Sequence, residues 1–356
     1  MGIKELAQHL NVSIGTVSRA LNGHKDVNAE TRQRVLQAAQ ELGYAPNQSG
    51  RSLRKGSINT VAFMLSAERM GEQDALFFME VCHGIQITLA QHELDLVIHL
   101  SRPGDNLLDR VRRVVERRLA DAIILPETRQ HDPRLDYLAK MEFPFVALGR
   151  SLSGGEHPWL DLDFETAMRQ AIARLVGFGH QRIALATGRP ELMLDHILQD
   201  AYRRELRKHG LPVDDTLMKS ATSDETGGYT LADWFLGCPN RPTAIIFPHH
   251  RSVAGAYRRL TAEGLQPGVD IAILSCSPDS LTAQYLSPAL TCFRLSFESL
   301  GMRLGEALLG VMPRFSDPSH RDLIQVVWPW EMVMRESDIC GPSLHRVDRE
   351  AHFPIG

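Results

Sequence analysis

Ile3, Leu6, Ala7 and Leu10 recur at the i, i+3, i+4, i+7 spacing that lets one face of a short helix cover a small core. Asn11 supplies a stop, and Ser13 is placed to cap a second helix in which Val17, Ala20 and Leu21 point inward. That leaves Ile14, Gly15, Thr16, Ser18, Arg19 and Asn22 on a small, polar outer face. A third helical pattern follows, with Asn28 as cap, Val35, Ala38, Ala39 and Leu42 at helical spacing and Gly43 as terminator. Residues 47–56 form a weaker pattern, interrupted by Gly50, with Leu53 as its one large apolar residue and Arg51, Arg54 and Lys55 exposed. So short a helix does not hold alone in water, so the segment is expected to fold on meeting DNA.

From residue 58 the rhythm changes to short apolar runs alternating with longer amphipathic stretches. Strands are predicted at 60–66, 95–100, 122–125, 145–148, 182–187, 244–248 and 271–276. Helices are predicted near 77–91, 105–118, 164–177, 196–209, 226–236, 252–263 and 297–310. Such alternation implies parallel sheets covered by helices on both faces, most simply two doubly wound lobes. The fold class is therefore an all-α helix-turn-helix head on an α/β bilobed body. Ligands of these sheets bind at the carboxyl ends of the strands, which makes the cleft between the lobes the natural pocket.

Charge sharpens this division. Residues 1–56 hold eight Lys/Arg against four Asp/Glu, a balance of +4, and the chain as a whole is −4, so residues 57–356 carry −8. A basic head on an acidic body directs the head toward phosphates. On its outer face Arg19 can offer paired donors to a guanine edge, Thr16, Ser18 and Asn22 can reach phosphates, and Gly15 permits close approach.

The run Val12-Ser13-Ile14-Gly15-Thr16-Val17-Ser18-Arg19-Ala20-Leu21-Asn22, with Thr31-Arg32, Leu42-Gly43-Tyr44, Pro46-Asn47 and Arg51-Ser52-Leu53-Arg54, resembles the lactose/galactose-repressor (LacI/GalR) family of bacterial regulators. The resemblance continues through Asp121-Ala122-Ile123-Ile124-Leu125, Gly179-His180-Gln181-Arg182-Ile183-Ala184, Pro242-Thr243-Ala244-Ile245-Ile246 and Pro288-Ala289-Leu290-Thr291, covering nearly all of residues 2–338. It implies base reading by Ile14, Gly15 and Arg19, further DNA contacts at Ser13, Thr31, Arg32, Asn47, Arg51 and Arg54, and a hinge helix whose Leu53 wedges into the central base step. It also implies a body like a periplasmic binding protein, crossed three times between lobes, near 157–159, 288–291 and 319–321. The expected organisation is a helix-turn-helix domain at 1–46, a hinge helix at 47–56, a bilobed body at 57–338 and a loose tail at 339–356. Within the body the N-lobe takes 57–157 and 290–319, and the C-lobe 158–289 and 320–338.

The cleft departs from the family pattern. Where many members place an arginine three residues before a Gly-aromatic pair, this chain has Leu198 before Ala201-Tyr202. His249-His250 stands in place of an Asn-Asp pair, and Ser277-Pro278 in place of Asp-Asp, with Asp279 one position later. The remaining effector candidates are Phe77, Phe78, Arg150, Trp159, Asp195, His196, His250 and Arg294. Aromatic faces can stack on sugar rings or flat bases, and Arg150 or Arg294 can anchor a polar group. Core packing is the competing reading for Phe77 and Phe78, and linker packing for Trp159. For His249-His250, adjacent residues at a strand end point different ways and no further ligand lies at metal spacing, so hydrogen bonding is expected rather than metal binding.

Other chemistry finds little support. The chain lacks Gly-x-Gly-x-x-Gly after a strand, a Gly-Lys-Ser/Thr phosphate loop and a Gly-x-Ser-x-Gly elbow, so no enzyme is expected and no cofactor. Cys82, Cys238, Cys276, Cys292 and Cys340 lack Cys-x-x-Cys spacing and read as reduced thiols. No apolar run approaches a membrane span and the N-terminus lacks signal architecture, which points to a cytoplasmic, nucleoid-associated protein. The expected function is a repressor of a sugar uptake or utilisation operon. It would be a homodimer on an approximately palindromic double-stranded operator, controlled by a small-molecule effector, a sugar by resemblance. The alternatives are a regulator answering to a nucleobase or a protein corepressor, and a sugar-binding transport protein, which would need a secretion signal and no basic head.

Overall fold

The computed structural model describes residues 2–21, 24, 26–44, 57–66, 72–102, 104–316 and 323–339, and divides into two units, residues 1–59 and 60–356. The first unit holds α1 (Ile3–Leu10), α2 (Ile14–Leu21) and α3 (Ala29–Glu41). Leu6, Val17 and Val35 are essentially inaccessible, and Ala7, Ala20, Val27, Ala38 and Ala39 fill the rest of this small core. The predicted stops work as expected. Asn11 closes α1 in the left-handed conformation, and the Asn28 side chain accepts from the Glu30 N–H at 2.8 Å to start α3.

The body contains two six-stranded sheets among the described residues. The first is built from β1 (Thr60–Ser66), β2 (Asp95–Ser101), β3 (Ala122–Pro126), β4 (Phe145–Leu148), β5 (Trp159–Leu162) and β11 (Gln325–Trp328). Its order is β11-β5-β4-β3-β1-β2, all parallel. The second is built from β6 (Ile183–Thr187), β7 (Met218–Ser220), β8 (Ala244–Phe247), β9 (Ala272–Pro278), β10 (Thr291–Arg294) and β12 (Glu331–Val333). Its order is β12-β10-β9-β8-β6-β7, and only β12 runs antiparallel. Strands β1, β3 and β8 read as continuous apolar runs because helices cover both faces of a parallel sheet.

The covering helices are α4 (Glu72–Ala90), α5 (Leu107–Glu116), α6 (Pro133–Lys140), α7 (Phe164–Gly177), α8 (Met193–Lys208), α9 (Glu225–Leu236), α10 (His250–Ala262), α11 (Leu281–Tyr285) and α12 (Phe297–Leu309). The short helices α6 and α11 were not predicted, nor were β5, β7, β10, β11 and β12. Runs of three to five residues carry too little periodicity to register.

Those unpredicted strands move the lobe boundaries. Trp159–Leu162 pairs with β4 and β11, so the chain stays in the first lobe to residue 162 and crosses at Asp163. Thr291–Arg294 belongs to the second lobe, placing the return at 295–296, and the last crossing lies at 329–330 between β11 and β12. The crossings expected near 157–159, 288–291 and 319–321, and the lobe limits built on them, are corrected accordingly. Trp330 links all three crossings. It stacks on Phe293 at 4.9 Å, meets Phe164 edge-on at 5.0 Å, and donates its indole N–H to the Asp163 carbonyl at 3.0 Å. The end of the body is fixed by buried Asp338, which accepts from Arg174 Nε at 2.6 Å and Thr291 Oγ1 at 2.8 Å.

Candidate nucleic-acid interface and ligand cleft

In the head, Ser13 Oγ accepts from the Thr16 N–H at 3.0 Å and pairs with the Thr16 hydroxyl at 2.8 Å. The same two hydroxyls thus begin α2 and line its leading edge. With Val17 and Ala20 inward, Ile14 (41% exposed), Gly15 and Arg19 face solvent, while Thr16 and Ser18 are half-buried beside them. Arg19 is positioned by its own helix: Nε donates to the Gly15 carbonyl at 3.3 Å and Nη1 meets Asp26 at 3.1 Å, both side chains being about half exposed. Arg32 differs from expectation. Its guanidinium donates to the His24 carbonyl and is partly buried, so it braces the turn before α3, with Thr31 half-buried next to it. Asn22, Asn47, Arg51, Leu53 and Arg54, together with the hinge segment 47–56 and the tail beyond Ile339, lie outside the described residues.

In the body, the strand ends of the two lobes meet across a cleft. A two-residue antiparallel bridge closes one side of it: the Met193 N–H donates to the Thr128 carbonyl at 3.0 Å and the Gln130 N–H to the Glu191 carbonyl at 3.2 Å. Nothing in the sequence pattern marked this contact, because it is made by backbone groups.

The first-lobe candidates divide into two groups. Phe77 and Phe78 of α4 are half-buried in an aromatic cluster, 4.9 Å apart, with Phe77 5.1 Å from Phe297 and Phe78 5.9 Å from Phe63. Phe297 opens α12 directly after the second crossing, so this cluster stands beside the hinge of the cleft. Arg150, expected to anchor a polar ligand group, is already engaged. Its Nε donates to Asp161 at 2.8 Å, and Nη1 and Nη2 donate to the two Glu165 oxygens at 2.8 Å each. Asp161 lies on β5 and Glu165 on α7, so Arg150 clasps both sides of the first crossing. Burial pushes the Asp161 carboxyl up, against the attraction of Arg150. Trp159 lies half-buried under the Arg150 guanidinium, 6.0 Å away, and packs into the first lobe. Asp161, an aspartate inside an apolar strand, was the legible hint that a buried cation stood opposite it.

The second-lobe candidates sit at the ends of adjacent strands. Asp195, in the first turn of α8, is 4% exposed; its Oδ1 accepts from the Gly188 N–H at 3.1 Å, while Oδ2 is buried without a hydrogen-bond partner. Burial lifts its pKa to about 6. His196 beside it is half-buried. His250 opens α10 at 8% exposed, and neither ring nitrogen has a hydrogen-bond partner. Burial holds both His249 and His250 down at about 4, so both are neutral imidazoles at ordinary pH. Leu198, at the position where the family carries an arginine, is packed in the core beside Tyr202, whose hydroxyl donates to the Ile183 carbonyl at 2.7 Å. Arg294 is 63% exposed and bonded to Asp279 at 3.2 Å. Against the upward push of burial, Arg335 and Arg294 hold the Asp279 carboxyl below its usual range. No group of three His, Cys, Asp or Glu able to hold a metal ion occurs among the described residues.

Known proteins share this arrangement. Residues 2–47 match the model for bacterial regulatory proteins of the lacI family, and residues 172–337 match that for a periplasmic binding protein-like domain. The HTH-type transcriptional regulator AglR of Rhizobium meliloti (strain 1021) is 32% identical over 349 residues, 97% of this chain and 96% of the relative. The HTH-type transcriptional regulator RafR of Escherichia coli is 33% identical over 272 residues, 75% of this chain and 79% of the relative. Among solved structures, a lac repressor dimer bound to operator and an anti-inducer superposes with a TM-score of 0.81 at 20% identity, over 96% of this chain and 99% of that one. A complex of the regulator CelR with cellobiose superposes with a TM-score of 0.69 at 24% identity, over 95% and 99%. A capped reading helix on a basic head, a body of two doubly wound lobes, and full-length similarity to such regulators lead to one conclusion: this chain belongs to the lacI family of bacterial regulatory proteins, as a helix-turn-helix transcriptional regulator.

Proposed function

We propose that the protein represses a sugar uptake or utilisation operon as a homodimer on an approximately palindromic operator, under the control of a sugar bound between its lobes. The observation that carries the reading is the second helix, begun by the Ser13 cap, with Ile14, Gly15 and Arg19 turned to solvent above the buried Val17 and Ala20. A single head covers too little DNA for tight specific binding, whereas two linked heads share the cost of association and enforce half-site symmetry. In this reading Ser13, Thr16, Ser18, Asn22, Thr31, Asn47, Arg51 and Arg54 position the head on phosphates, and Leu53 wedges the central step.

The dimer reading draws support from the edge strand β2, which exposes Val97, Ile98 and Leu100, and from Leu76 and Met79 on α4. In the second lobe Leu281 and Tyr285 of α11 are 66% and 84% exposed. Apolar side chains on an open sheet edge are a liability in a monomer, and a second copy would cover them. The sugar reading draws support from the cellobiose held by the related CelR and from the aromatic cluster around Phe77. Effector binding would shift the closure of two lobes joined at 163, 295–296 and 329–330, and the change would reach the head through residues 47–56, which link it covalently to the body.

Selection of bound duplexes from a random pool, followed by fluorescence anisotropy at moderate ionic strength, tests this. A two-fold symmetric site preferred strongly over random competitor, with affinity altered by a saccharide, is the expected result. Equal affinity for all duplexes would overturn it.

A further inference from the structure

The second-lobe wall of the cleft contains polar atoms that the fold itself leaves unused. Asp195 is 4% exposed and His250 8% exposed, yet Asp195 Oδ2 and both His250 ring nitrogens lack hydrogen-bond partners. Buried polar groups are nearly always paired, and leaving one unpaired costs about 1–3 kcal/mol, so three such atoms call for a reason. Their placement supplies one. Asp195 is tied to Gly188, the residue that follows β6, and His250 stands three residues beyond the end of β8. These strands are direct neighbours, with Ile183, Ala184 and Leu185 opposite Ala244, Ile245 and Ile246, so both side chains belong to one stretch of the carboxyl edge. Arg189 is close enough for its charge to act on both Asp195 and His249.

The chemistry of these atoms selects the ligand. At neutral pH the edge presents a carboxylate and a neutral imidazole, which offers one acceptor and one N–H donor. A ring hydroxyl can donate to the carboxylate while a neighbouring hydroxyl exchanges hydrogen bonds with the imidazole. An anionic group would be repelled by Asp195, and four of the cleft's arginines are already committed to carboxylates. Arg150 is bonded to Asp161 and Glu165, Arg251 to Glu225 at 2.7 Å, and Arg294 and Arg335 to Asp279.

We propose that Asp195 and His250 form a hydrogen-bonding subsite for the ring hydroxyls of an uncharged saccharide, and that phosphorylated and carboxylated sugars are excluded from it. This rests on the reading that the effector occupies the cleft, and deepens it by naming the effector's charge class. Asp195 follows the bridging segment 191–193 by two residues, and its N–H donates to the Leu192 carbonyl at 3.2 Å, so occupancy of the subsite acts directly on the segment that joins the lobes.

Isothermal titration calorimetry on the full chain tests the subsite, with cellobiose, maltose, melibiose and sucrose as uncharged probes and glucose 6-phosphate and glucuronate as charged ones. The expected result is binding of at least one uncharged probe and of neither charged one. Asp195→Asn and, independently, His250→Phe should each weaken that binding about ten- to hundredfold while thermal melts show a folded protein. Wild-type affinity in both variants, or a charged sugar bound more tightly than the uncharged ones, overturns the subsite while leaving a cleft effector in place. Failure of every probe to bind a chain that still recognises its operator overturns the sugar reading and the subsite together.

Discussion

Replacing Asp195 by asparagine separates the charge of this buried carboxyl from its shape. Burial raises its pKa from 3.8 to about 6, with the Gly188 N–H and His196 pulling the other way. A carboxyl with a folded-state pKa above its unfolded value holds its proton more tightly in the native protein. Its stabilising contribution is therefore full below the unfolded pKa and is lost as pH rises through the folded one. Integrating the linkage relation with these two values gives a loss of about 2 kcal/mol between about pH 4.5 and 7.5. His249 and His250 act in the opposite direction. Their native pKa of about 4 lies below the ordinary imidazole value, so stability falls as the pH drops toward 4. The profile of the intact protein sums these opposing slopes, whereas the difference between wild type and Asp195→Asn cancels the histidines. Urea denaturation followed by tryptophan fluorescence at several pH values measures that difference. The wild type should lose about 2 kcal/mol relative to the variant across that range. Parallel stability curves would refute the assignment of a buried, titrating carboxyl.

Four further outcomes follow from the geometry. Ser13→Ala removes the cap of the reading helix and should cost about 1 kcal/mol of head stability, read from the helical melt by circular dichroism; an unchanged melt would show that the cap bond contributes nothing. Arg19→Ala should cost about 1–3 kcal/mol on the selected operator and relax preference at one base pair, whereas equal losses on all duplexes would place Arg19 on phosphate. Trp330→Ala removes the side chain shared by the three crossings and should cost about 3–5 kcal/mol in urea denaturation; a loss below about 1 kcal/mol would mean that the crossings are held otherwise. Ile98→Asp puts a charge on the exposed edge strand and should shift sedimentation from dimer to monomer; an intact dimer would move the interface elsewhere.

The head was readable almost residue by residue. Ser13, Asn28 and Asn11 act where their chemistry placed them, because caps and stops are decided within one helical turn. The long strands and helices of the body were readable for a related reason: burial on both faces writes an unbroken apolar run, and burial on one writes a 3.6-residue period. Residues whose partners are remote in sequence were not readable. Arg150 looked like a ligand anchor until Asp161 and Glu165 appeared against it, and Arg32 looked like a phosphate contact until its guanidinium was found on the His24 carbonyl. The short strands Trp159–Leu162 and Thr291–Arg294 carry too few residues to show a period, so the lobe crossings were misplaced by several positions.

By itself, then, the chain determined its division into a basic three-helix head and an acidic two-sheet body, since charge balance and hydrophobic period are properties of contiguous residues. Only the tertiary structure decided which polar side chains of the cleft are spent on one another and which, like Asp195 Oδ2 and the His250 ring, are left unpaired. That outcome depends on pairings between strand ends and loops far apart in sequence, which no local pattern encodes.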